Sequence, residues 1–175
     1  MAIYTEFAQS MFIHIPKCAG ESISAWLAKH ANGKKNLGKH SLMSEHPKIP
    51  KDTYVFTCVR HPYSWVYSGW AYMTKKWEFR NMTLDDWIFG DEIMMTHICG
   101  IPQHEYIDFN RINYIMKHEN LSNDFAKIQK ILKNNSILEN RNKSPRRADA
   151  VLSNDMKEKI YETFRTDFEL LGYKK

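Results

Sequence analysis

Lys17, Gly20, Ser22 and Ser24 stand close together in the stretch Phe12-Ile13-His14-Ile15-Pro16-Lys17-Cys18-Ala19-Gly20-Glu21-Ser22-Ile23-Ser24. These residue types suit the binding of an anion. Lysine brings a mobile positive charge, the serines bring hydroxyl donors, and glycine lets the backbone curl close to a charged oxygen. Two elements must hold them in place. Met11 to Ile15 is an apolar run that reads as a buried strand, and Pro16 ends it. Ser22 to Ala31 reads as an amphipathic helix with Ile23, Trp26 and Leu27 on one face, stopped by Asn32-Gly33. The N–H groups at the start of such a helix point back at the loop. Taken alone, the segment also suits a plain strand-to-helix turn with a solvated lysine.

A second basic residue follows a second strand. Tyr54 to Val59 is an apolar run rich in β-formers, and Arg60 lies at its carboxyl end. Pro62 then opens a helix through about Lys76, which carries Ser68 eight residues beyond Arg60. Two helical turns span ~11 Å, so Arg60 and Ser68 share one phosphate only if Arg60 folds back along the helix. Alone, Arg60 suits a surface ion pair and Ser68 helix packing. Asn113 to Met116 reads as a third strand, Thr83 to Asp86 as an acidic helix start, and Asn123 to Lys133 and Ser153 to Leu171 as later helices. Gly33 to Pro50 and Asn134 to Asp149 read as polar, basic connectors. Strands alternating with helices imply an α/β fold with a mostly parallel sheet, in which ligands sit at the carboxyl ends of the strands.

Together these motifs resemble the sulfotransferases that use 3′-phosphoadenosine 5′-phosphosulfate (PAPS). Pro16-Lys17-Cys18-Ala19-Gly20-Glu21-Ser22 resembles the family's 5′-phosphosulfate loop. Val59-Arg60-His61-Pro62-Tyr63 through Ser68 resembles its 3′-phosphate motif. Lys117 to Leu121 with Asp124-Phe125 is similar to its Arg-Tyr-Glu-Asn-Leu turn, and Phe164 to Tyr173 to the end of its carbohydrate-type members. The likeness runs from about Met11 to Tyr173. It implies a three-layer, P-loop-like α/β fold, with a central mostly parallel sheet flanked by helices, forming a single domain over residues 1–175. It also implies that Lys17, Cys18, Ala19, Gly20, Glu21, Ser22 and Ile23 hold the 5′-phosphosulfate, and that Arg60 and Ser68 hold the 3′-phosphate. Lys143 and Arg146, in the connector Asn142 to Arg147, would fold over the nucleotide, although this run of charges suits a solvated loop equally well. Glu21 departs from the pattern, because many members have Thr there.

By the same resemblance a histidine between the two motifs acts as base on the acceptor hydroxyl. His40, twenty residues before Arg60, matches that placement, and His46, fourteen before it, is the rival. His14 reads instead as a strand residue packed beneath the loop. The implied reaction is in-line sulfonyl transfer. His40 takes the acceptor proton, and Lys17 offsets charge growing on the leaving 5′-phosphate oxygen. No metal is required, the product is 3′-phosphoadenosine 5′-phosphate (PAP), and the acceptor is expected to be a glycan hydroxyl.

Particular residues suit other readings. Gly33-Lys34-Lys35-Asn36-Leu37-Gly38-Lys39-His40 nearly spells a Walker A loop, which suggests a nucleoside or nucleotide kinase. Its last position is His where Mg²⁺ binding needs Ser or Thr, and a helix precedes it, not a strand. His97, Cys99 and His104 fit no standard zinc spacing, although Gln103 and His104 also suit an acceptor pocket. The net charge of +5 and the aromatics Trp65, Tyr67, Trp70 and Tyr72 raise nucleic-acid binding, but no recognised module appears. Three cysteines without a pairing pattern, no apolar run of ~18 residues and no basic leader point to a cytoplasmic protein without a membrane span.

Overall fold

The computed structural model describes residues 2–5, 9–36, 40–46, 49–90, 100–141 and 151–175, without the side chains of Lys35, Asn36 and Trp77. The residues group into two compact units, 1–60 with 105–142 and 61–104 with 143–175.

The first unit is built on a five-stranded mixed sheet. Its strands are β1 (Ala2–Thr5), β2 (Ser10–Ile13), β3 (Lys34–Asn36), β4 (Tyr54–Val59) and β5 (Tyr114–Lys117), in the spatial order β3-β1-β2-β4-β5. β2, β4 and β5 run parallel, while β1 pairs antiparallel with both β2 and β3. The mostly parallel sheet expected from the sequence is therefore corrected to a mixed one. Residues 6–9 are too few for a crossover, so β1 and β2 can pair only as a hairpin. Every residue of β2 is buried, as is β4 from Val55 to Val59, which is why both read as unbroken apolar runs. Two helices, α1 (Gly20–His30) and α4 (Leu121–Ile131), meet where Trp26 and Phe125 pack edge to face at 5.1 Å, so they lie on one side of the sheet. Asn32 has φ 49, and the Gly33 N–H bonds to Leu27 O at 2.9 Å, so this pair does end α1.

The second unit holds α2 (Pro62–Met73), α3 (Leu84–Phe89), α5 (Asn154–Thr163) and α6 (Arg165–Leu170). Thr83 and Asp86 form a capping box at α3, each taking the other's backbone N–H. The hydroxyl and N–H of Thr83 hold the Asp86 carboxyl below its usual pKa. Trp65 and Trp70 are buried, and the Trp70 Nε1–H bonds to Met82 O at 3.0 Å. Two of the aromatics raised for nucleic-acid stacking are thus core residues. The single helix expected over Ser153 to Leu171 breaks at Phe164, whose ring packs on Trp65 at 5.3 Å. Asp167, one turn later, is fully buried. It accepts from Gln103 N at 2.9 Å, His104 N at 2.8 Å and His104 Nδ1 at 2.7 Å. Among the described residues, no helix is long and apolar enough to cross a membrane.

Candidate active site

The turn after β2 is strained in an ordered way. Lys17 and Ala19 both adopt left-handed backbone, at φ 61 and φ 60, on either side of Cys18. Each non-glycine residue in that region costs about 1–2 kcal/mol. Left-handed residues set beside right-handed ones turn successive N–H groups towards one side, an arrangement that receives anions. Ala19 is the N-cap of α1, and no side chain caps the helix there. The positive end of the helix dipole thus opens onto the turn. Lys17 and Glu21 are half-buried beside it.

Gly20 has a role the sequence did not disclose. A Cβ there would overlap the His14 imidazole, and φ at Gly20 is not positive. Glycine is needed here because the buried His14 ring packs onto its Cα. Gly20→Ala is expected to gain up to ~1 kcal/mol of helix propensity and to lose about 2–3 kcal/mol from overpacking. Chemical denaturation should show a net loss. In the His14→Ala background that loss should shrink or reverse, a coupling of about 1–3 kcal/mol.

His40 lies against the same ring. The two imidazoles meet edge to face at 4.7 Å, and His40 Nδ1 is 3.3 Å from His14 O. A carbonyl only accepts, so in this bond Nδ1 carries the proton, and in the neutral ring Nε2 is then the lone-pair nitrogen. His40 is itself left-handed, at φ 68. His14 is thus the packed strand-end residue that the sequence suggested. His46 is 7% exposed, with Nε2 3.0 Å from Oγ of Ser41, the residue after His40, and burial lowers its pKa.

Arg60, at the end of β4, donates from Nη1 to Lys17 O at 3.3 Å, so the two basic residues flank one turn. Beyond β5, His118 is half-buried, and burial with the nearby Arg60 charge lowers its pKa. The buried Cys58 thiol is pushed far above its usual range by burial and by Glu119 and Asp124. Asp124 does local work, accepting from Lys117 N at 2.8 Å, Tyr114 Oη at 3.0 Å and Asn120 Nδ2 at 3.1 Å.

The remaining expected residues fall as follows. Ile23 is a core side chain whose N–H bonds to Ala19 O, and Cys18 is buried. Ser22 Oγ accepts the Arg141 N–H at 2.8 Å, which leaves its own proton to donate. Ser24 is 6% exposed, and its Oγ has no hydrogen-bond partner among the described residues. Ser68 is buried in α2, in the second unit, whereas Arg60 belongs to the first. Lys143 and Arg146 lie outside the described residues, but the connector leading to them is held along α1. Ser136 O accepts from Trp26 Nε1 at 2.8 Å, and Asn134 Nδ2 donates to His30 O at 3.2 Å.

The near-Walker segment is a helix stop and an edge strand, with residues 37–39 outside the described residues. His104 is committed to Asp167, and His97 and Cys99 lie outside the described residues. Among the described residues, no group of three or more His, Cys, Asp and Glu side chains could hold a metal ion. Comparison with protein-family models, curated proteins and solved structures finds no match.

Proposed function

We propose that the chain is a sulfotransferase that moves the sulfonate of PAPS to an acceptor hydroxyl, with a glycan as the acceptor class. The observation that carries this reading is the convergence of Lys17, Arg60 and His40 on one strained turn at the carboxyl ends of parallel strands. The proposal takes the fold as a P-loop-like, three-layer variant of the mixed α/β sheet. It takes the setting as cytoplasmic, in keeping with the buried thiols of Cys18 and Cys58.

In this scheme the backbone amides of the turn and the hydroxyls of Ser22 and Ser24 receive the 5′-phosphosulfate. His40 Nε2 removes the acceptor proton as its oxygen attacks sulfur, and the S–O bond to the 5′-phosphate breaks. Lys17 and the α1 N-terminus meet the charge that develops on the departing oxygen, where it lowers the barrier and not merely the ground state. Arg60 binds the 3′-phosphate and sets the donor's register.

Titration calorimetry with PAP and with ADP tests the reading. PAP should bind with micromolar affinity, at least about tenfold tighter than ADP, a difference of ~1.4 kcal/mol. Equal binding would detach Arg60 from a 3′-phosphate and overturn the proposal. Binding of ATP with Mg²⁺ in place of PAP would point to a kinase.

A further inference from the structure

The His14 ring is in contact with both the turn and the candidate base. It is 2% exposed, it fills the space where Gly20 would carry a Cβ, and it meets the His40 ring edge to face at 4.7 Å. Phe12 stacks on it from behind at 6.0 Å, so it has little room to move. Its own carbonyl faces His40 Nδ1 at 3.3 Å. Two different parts of one residue therefore act on a neighbour 26 positions away. The carbonyl selects a tautomer, and the ring limits the plane in which that imidazole can lie.

We infer that His14 is a positioning residue for His40. It fixes the Nδ1–H tautomer and the ring orientation that present Nε2 as the base nitrogen, and it references both to the first residue of α1. The inference rests on the sulfotransferase reading for its catalytic meaning, but its structural content stands apart from it. A general base contributes only while its lone pair stays aimed at the proton it removes. A loop histidine without support samples both tautomers and several rotamers, whereas a neighbour locked by packing supplies the missing constraint. The left-handed backbone of His40, costly for a non-glycine residue, is the strain such a constraint would hold.

The test reads the imidazole ¹⁵N shifts of His40 in the ligand-free protein. In the wild type, Nδ1 should resonate as a protonated nitrogen and Nε2 as a lone-pair nitrogen. His14→Gln keeps similar volume and the same carbonyl but has no rigid ring. In this variant, and in His14→Ala, the two shifts should move towards each other as the tautomers mix. Turnover of His14→Gln should fall ~10–100-fold while PAP affinity stays within ~2-fold, the pattern of misplaced but intact machinery. An Nε2–H tautomer in the wild type, or shifts unchanged in both variants, would overturn the inference. Unfolding of both variants would also overturn it, because His14 would then belong to the fold alone. Failure of PAP to bind the wild type would instead strike the functional reading and leave the tautomer result standing.

Discussion

Replacing His40 by Ala should lower sulfonyl transfer about 10²–10⁴-fold while leaving PAP affinity nearly intact. The split follows from geometry. His40 meets the His14 ring, which lies against Gly20 of the turn, so in the proposed mechanism its loss removes a proton acceptor without removing a donor-binding group. Lys17→Ala should behave differently, since the proposed mechanism uses its charge when the 5′-phosphate departs, and should cost about 10²–10³ in turnover. Single-turnover kinetics with a fixed acceptor, alongside PAP titration, separates the two. If His46→Ala reproduces the His40 phenotype, the base is His46 and the Ser41 hydrogen bond must open during the reaction. Equal turnover in wild type and Lys17→Ala would remove the mechanism.

Asp167→Ala should destabilise the protein by roughly 3–5 kcal/mol, a large share of the stability of any small domain. The carboxylate is fully buried and accepts from the N–H groups of Gln103 and His104 and from the His104 ring. Alanine would leave those donors facing a cavity they cannot hydrate freely, and each unsatisfied buried donor costs about 1–3 kcal/mol. Asp167→Asn should recover part of the loss, since an amide oxygen can still accept from one or two of them. Urea unfolding of the three proteins at one pH gives the ranking. A midpoint for Asp167→Ala within error of wild type would show that the clamp contributes nothing to stability.

Much of this arrangement was legible in the chain, and what was missed shares a cause. β4 was read at its true bounds because every residue from Val55 to Val59 is buried, which leaves an uninterrupted apolar signal. The Thr83 start of α3 was legible because a capping box is a local pattern. β1 and β3 escaped because one is four residues long and the other is a three-residue run of Lys34, Lys35 and Asn36. Nothing in their periodicity outweighs their polarity or brevity. Lys17 and Arg60 were picked out by their positions after apolar strands, and the 3.3 Å bond between them agrees with that placement. The clamp on Asp167 joins positions 63 and 64 residues apart and leaves no local trace. The need for glycine at position 20 was read as freedom of the backbone towards a ligand. It turns out to be room for the His14 ring, a contact set by how the turn doubles back.

The hairpin at the start of the chain reaches further than its length suggests. β1 is an interior strand, held between β2 and β3, and among the described residues β3 pairs with β1 alone. A chain shortened by residues 2–5 would expose the open flank of β2, a template for intermolecular pairing. It would also release the segment at Asn36, four residues before His40. Preparations that differ only in whether residues 2–5 are intact would then differ in how firmly His40 is held, although none of those residues is near it in the sequence.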